Sequence, residues 1–193
     1  TTCNGTVFML LQSRVGTSWS YSSEADLGRE LPYWGTDTPH GTIVAFFQGR
    51  ACLAEYFPSQ DFTAIWMSLP LQYHHFDFAS KGISVPGEVR VLKSTEKGLL
   101  IGTDRNIFAY TGEELSELAD YGVVPGWHAS DLDGDTYFWS LRGLCSVFPF
   151  KNLTEETVSV APGQSAGAMV VEKDGMRRYI VALRKDGSAY NRR

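Results

Sequence analysis

The chain has 193 residues, 43% of them hydrophobic and 20% charged, with a formal net charge of −5. That length and mix suit one folded domain or one compact repeat array and exclude an intrinsically disordered chain. The acidic balance and the lack of any Lys/Arg block exclude broad attachment to nucleic-acid phosphates or anionic lipid, which leaves a neutral, sugar or protein partner.

The opening stretch, TTCNGTVF, shows no basic region ahead of a long apolar one. No apolar run approaches the roughly 18 to 20 residues of a membrane span, so neither a leader nor a span is expected. Gly5 to Gln12, GTVFMLLQ, is expected to be a strand. Ser13 to His40 is less regular and carries the best candidate for a short helix, around SSEADLGREL, where a serine precedes carboxylates in a first turn. Trp19, Tyr21, Tyr33 and Trp34 fall in this Gly- and Ser-containing stretch and are the candidate interface residues, since exposed aromatic rings anchor interfaces. Elsewhere a tryptophan is expected to pack in the core. Cys3, Cys52 and Cys145 are far apart and lack C-x-x-C spacing, which predicts small buried thiols rather than a metal site or a disulfide framework.

From Gly41 onward the chain repeats. GTIVAFFQ at 41–48 echoes GTVFMLLQ at 5–12, 36 residues earlier. The endings GISVPG, YGVVPG and SVAPG close at Gly87, Gly126 and Gly163, spaced by 39 and 37 residues. A period of this size signals a repeat architecture. Between Glu88 and Gly126 the pattern reads as four strands, EVRVLKSTE, LLIGTD, IFAYT and LSELADYGVV, separated by tight turns. The next interval reads WHASDL, DTYFWS, LCSVFPF and LTEETVSVA. Asp133-Gly134 suits a two-residue hairpin turn, with further turns at LRG and KN. A last partial unit reads QSAGAMVVE, MRRYIVALR and SAYNRR, joined by two KDG turns and lacking a fourth strand.

These features predict an all-β chain, a propeller-like array of about four or five four-stranded antiparallel blades with a less regular N-terminal segment. The predicted units of this single domain are 1–40, 41–87, 88–126, 127–163 and 164–193, with GTVFMLLQ completing the last blade. A β-sandwich is the alternative. Each PG ending is predicted to close an outer strand, because proline cannot donate to a ladder and glycine permits a sharp re-entry.

No site of cofactor or metal chemistry follows from the motifs. In YHHFD, at 73–77, alternation puts only His75 and Asp77 on one side of a strand, too few ligands for a metal. DLDGD, at 131–135, has the letters of a calcium loop, but its glycine precedes the third acid instead of following it and an aromatic run replaces the distal acid, so a hairpin turn is the better reading. Asn152-Leu153-Thr154 reads as a turn leading into a strand. The expected inner strands IVAFFQ, VRVLKST, HASDL and GAMVVE are apolar or small at their centres, which makes a convergent carboxylate pair for glycoside cleavage hard to build. No G-x-S-x-G, P-loop or H-E-x-x-H occurs, so no catalytic residue is named.

From about Pro39 to the C-terminus the sequence resembles a family of bacteriophage virion proteins of the tail or its attachment region. The residues are GTIVAFFQGR at 41–50, LPLQYHHFDF at 69–78, GISVPGEVRVL at 82–92, GLLIGTDRNIFAYTG at 98–112, YGVVPG at 121–126, FWSLRGLC at 138–145, NLTEETVSVAPG at 152–163 and EKDGMRRYIVAL at 172–183. The resemblance implies a non-enzymatic structural component of the virion, in several copies per particle, that contacts other tail proteins, or a host surface protein or glycan. It carries over no catalytic residue, and Thr1 to Thr38 lie outside it. A carbohydrate-binding propeller is the alternative, and a propeller hydrolase a weaker one. A lectin of that kind repeats its aromatic pocket in register, whereas Tyr110, Trp139 and Tyr179 fall in only roughly similar places.

Overall fold

The structure, a computed structural model, describes residues 2–3, 6–7, 12–15, 18–21, 41–76, 82–155 and 165–184. Among these residues the fold is all-β without helix, made of antiparallel sheets, two of them four-stranded, with one curled half-barrel. The chain divides into two compact units, Thr1–Val85 and Pro86–Arg193.

The first unit begins with two short hairpins, β1 (Thr2–Cys3) with β2 (Thr6–Val7), and β3 (Gln12–Val15) with β4 (Ser18–Tyr21). Thr6–Val7 and Gln12 therefore belong to different hairpins, which departs from the single strand expected over 5–12. The helix expected around SSEADLGREL lies outside the described residues. A longer meander follows, β5 (Ile43–Phe47), β6 (Arg50–Phe57) and β7 (Phe62–Leu69). β8 (Gln72–Phe76) and β9 (Gly82–Pro86) both pair with β7. The β5–β6 turn uses Gln48 and Gly49 at φ 48° and 69°, left-handed angles that match the twist of the strands it joins. Ala51, Leu53 and Phe76 are buried together, with Trp66 and Tyr73 packed on them. Ser68 Oγ accepts from the Ala51 N–H at 2.8 Å, so this buried hydroxyl is satisfied.

Among its described residues the second unit contains three sheets in series. The first runs β10 (Val89–Ser94), β11 (Leu99–Thr103), β12 (Ile107–Tyr110) and β13 (Leu115–Ala119), each strand paired with the next. The second runs β14 (Ser130–Leu132), β15 (Asp135–Ser140), β16 (Gly143–Val147) and β17 (Phe150–Asn152) in the same simple order. The third is a nine-residue ribbon, β18 (Ser165–Lys173) with β19 (Met176–Arg184). Asp133 and Gly134 have φ 52° and 81°, and Asp174 and Gly175 have φ 54° and 72°, so both expected hairpin turns form as read.

The two four-stranded sheets share a turn chemistry. Thr103 ends β11, and its hydroxyl accepts from the Asn106 N–H (2.9 Å) while donating to the Asn106 carbonyl (3.1 Å). Ser140 ends β15, and its hydroxyl accepts from the Arg142 N–H (3.1 Å) and donates to the Gly143 carbonyl (2.8 Å). Short hydroxyl side chains close turns in this way by replacing missing ladder bonds.

Two expected boundaries move. The strand predicted over LSELADYGVV stops at Ala119, and Tyr121–Gly126 leaves the sheet as a connector. The turn predicted at Lys151-Asn152 instead falls at the cis Phe148–Pro149 peptide, and both residues lie in β17. Asn152 Oδ1 then accepts from the Thr154 and Glu155 N–H groups, so the turn read at Asn152–Thr154 follows the strand.

Among its described residues, two apolar clusters hold the second unit together. Val91, Leu100, Ile107, Val123, Phe138, Cys145 and Val147 form the larger, drawn from both four-stranded sheets and the connector. Val124, Trp139 and Ala166 form the other, with Leu144, Val181 and Leu183 packed against it. Successive residues of an extended chain point to opposite sides, so Phe138 and Trp139 of β15 serve one cluster each, as do Val123 and Val124. Cys52 and Cys145 are buried free thiols, as expected, and burial pushes Cys52 up to about 11. The Cys3 side chain lies outside the described residues.

The connector glycine carries a steric demand. Gly126 has φ 127°, and a Cβ built there would run into the Ala166 carbonyl oxygen. Gly126→Val should therefore lower the unfolding free energy by about 1 to 3 kcal/mol in denaturant titration. An unchanged midpoint would remove the close approach at Gly126.

Candidate interaction surface

The connector Tyr121–His128 is an irregular segment fastened from both sides. The Val123 N–H donates to the Thr103 carbonyl (2.8 Å) and the Val124 N–H to the Trp139 carbonyl (3.3 Å). The Leu141 N–H donates to the Gly122 carbonyl (2.9 Å), and Arg90 Nη1 donates to the Val123 carbonyl (3.0 Å). On the other side, the Ala166 and Ala168 N–H groups donate to the Pro125 and Trp127 carbonyls, both at 2.9 Å. Arg142 stacks its guanidinium 4.5 Å from the Tyr121 ring centroid.

His128 completes the segment. Its Nδ1 accepts from the Trp139 N–H at 3.0 Å, which leaves Nε2–H to donate to the Val124 carbonyl at 2.8 Å. Tyr179 Oη donates to the His128 carbonyl at 2.7 Å. The imidazole is buried, and burial pulls its pKa below the usual 6.5. This is a structural histidine, and the segment HASDL gave no sequence signal for it beyond an isolated ring beside an apolar run.

A groove of about 420 Å³ lies between the β10–β11 turn and the β14–β15 hairpin, with Ser94, Lys97, Asp131, Asp135, Phe148 and Arg177 on its walls. The DLDGD carboxylates sit here, each with its own partners. Asp131 pairs with Lys93 Nζ (2.7 Å) and accepts from Thr136 Oγ1 (2.6 Å). Asp133 pairs with Arg177 (3.1 Å), and Asp135 Oδ1 accepts from the Thr136 and Phe148 N–H groups. The three acids therefore tie the hairpin to its surroundings and do not converge on one point. Among the described residues no three His, Cys, Asp or Glu side chains are grouped to hold a metal.

The surface holds a second feature. Trp127 is 87% exposed, in contrast to the buried Trp139 and against the core role expected of it. The ribbon β18–β19 has two unlike faces. Ala166, Tyr179, Val181 and Leu183 face the β14–β17 sheet and the connector, with Tyr179 in ring contact with Tyr137. The opposite face exposes Met169 (62%), Ile180 (52%) and Met176 (53%), and Met169 lies directly across from Ile180 in the ladder. An exposed apolar patch of this kind, rich in Met and flanked by Arg, has the composition of a protein contact.

Of the residues expected at an interface, Trp19 and Tyr21 lie in β4, opposite Arg14 and Gln12 in the register. Their side chains lie outside the described residues, as do Tyr33 and Trp34 altogether. His75 lies in β8, while Asp77 is not described. The aromatic positions weighed for a repeated sugar pocket are not equivalent: Tyr110 ends the third strand of its sheet, whereas Trp139 and Tyr179 belong to second strands. Trp139 is also buried, and its indole N–H has no acceptor among the described residues.

No family model, curated protein or solved structure matches this chain. The comparisons lend nothing to the virion resemblance, which stands on the sequence series alone.

The His128 geometry has a pH consequence. Its folded pKa lies below the unfolded value, so the unfolded chain binds more protons between the two, and stability falls as pH drops below about 6.5 and is level above it. In urea unfolding at a series of pH values, His128→Gln should be less stable than the parent at pH 7.5 and should show a shallower loss between pH 6.5 and 5. An identical pH slope in the variant would contradict a neutral, acceptor-bearing His128.

Proposed function

We propose that the protein is a non-enzymatic structural component of a bacteriophage virion, tail-associated, that makes assembly contacts or helps attach the particle to its host. In this reading the serial sheets are the blades of a propeller-like array, and the joints fix one blade against the next. The observation that carries the interaction role is the outward face of β18–β19, where Met169, Met176 and Ile180 are all more than half exposed. An apolar face of this kind on a stable scaffold serves contact rather than chemistry. The exposed Trp127 indole is well suited to the same use, because a large, stiff side chain loses little entropy when it is buried by a partner. The virion setting comes from the collinear resemblance from Pro39 onward.

Mass spectrometry of purified particles of a phage encoding this chain should detect the protein in several copies per particle. A Met169→Glu/Ile180→Glu variant, folded by circular dichroism, should be incorporated at least tenfold less. Absence of the parent chain from particles would refute the virion reading. Normal incorporation of the variant would remove the ribbon face from it.

A further inference from the structure

The outward face of the ribbon is charged in one sense only. Alternation assigns Ser165, Gly167, Met169, Val171 and Lys173 of β18 to this face, and Met176, Arg178, Ile180, Ala182 and Arg184 of β19. Its centre is apolar and its charged members are Lys173, Arg178 and Arg184, all exposed. The one carboxylate within the two strands, Glu172, belongs to the opposite face, where it meets Arg177 at 3.5 Å. A cationic, apolar face on a chain of net charge −5 is a local reversal of the overall balance.

The complement lies in the same unit. From Asn106 to Leu141 the sequence contains no Lys or Arg. Within that stretch Glu113, Glu114 and Glu117 are exposed along β13 and its N-terminal end, with Leu115 half-buried among them; Glu117 accepts from Asn106 Nδ2 at 2.7 Å, and Asp120, past the other end, already meets Arg142 at 3.9 Å. β13 is the last strand of its sheet in the pairing order. A strip of carboxylates around a partly exposed leucine offers what the ribbon face lacks, and opposite potentials of this kind select a partner and set its register.

We infer that the ribbon face of one copy of this chain docks on the β13 strip of a second copy, in a head-to-tail contact. The two surfaces differ, so the contact is heterologous and propagates into a ring or a row of subunits rather than closing on a twofold axis. Exposed ion pairs add little affinity by themselves, so Met169 and Ile180 supply the buried area while Arg178, Arg184 and Lys173 supply orientation and salt dependence. The inference rests on the assembly role proposed above and names its partner.

The test uses charge reversal in the full chain, followed by sedimentation velocity at low and at 0.5 M salt, the higher value screening charges beyond about 3 to 5 Å. The parent should self-associate in a concentration-dependent way that weakens with salt. Arg178→Glu/Arg184→Glu and, separately, Glu114→Arg/Glu117→Arg should each associate at least tenfold more weakly. A mixture of the two variants should associate again, because each then presents the other with a complementary surface, and this recovery also shows that both are folded. A parent that stays monomeric, a variant that associates like the parent, or a mixture that stays apart would overturn the contact. A monomeric parent that co-sediments with phosphatidylserine vesicles would assign the face to a membrane and overturn it equally. A monomeric parent that is still incorporated into particles would overturn this contact and leave the assembly role standing. Self-association by a chain absent from particles would do the reverse.

Discussion

The second unit depends on a backbone segment that belongs to no sheet. Tyr121 to His128 gives hydrogen bonds to Thr103 in one sheet and Trp139 in the next, and takes them from Ala166 and Ala168 in the ribbon. Each bond contributes on the order of 1 kcal/mol net, but leaving such groups buried and unpaired costs more, so the segment fixes three sheets by necessity as much as by attraction. His128 reinforces it by supplying an acceptor for one strand and a donor for the connector with the same ring. A lysine or arginine could not do this, since neither offers an acceptor.

The side chains follow from that backbone. With the connector extended, Val123 and Val124 are forced to opposite sides, and the neighbouring strand β15 divides Phe138 and Trp139 in the same way. Two clusters form where the sheets meet, one on each side of the β14–β17 sheet. The ribbon is then committed on one face, through Ala166, Val181 and Leu183, and uncovered on the other. The exposed Met169 and Ile180 are thus the consequence of a series of sheets whose last member has a neighbour on one side only among the described residues.

Much of this was legible in the sequence from Gly41 onward. Strands such as VRVLKS, LLIGT and DTYFWS combine β-branched and aromatic residues, and the Asp133-Gly134 turn takes the left-handed angles expected of it. The end of β13 was not legible, because ADYGVV alternates as well as any strand. Its departure is decided by Gly122 passing close to the Asp104 backbone and by Val123 finding an acceptor at Thr103, both contacts made at a distance in sequence. The recurrence of a hydroxyl at Thr103 and Ser140, 37 residues apart, was a readable signal of equivalent turns.

The contact surface was less legible than the fold. GAMVVE is apolar on both faces, so nothing local says which side will be covered; Ala166 meeting Val124 decides it. Trp127 and Trp139 both fall in segments read as strands, yet one is bare and the other buried, because only Trp139 lies within a central strand. The connector is a structural fastener rather than a surface loop. Amide hydrogen exchange tests that directly. The amides of Val123, Val124, Ala166 and Ala168 should exchange as slowly as those of the central strands β11 and β15. Exchange at the rate of exposed turns would contradict it.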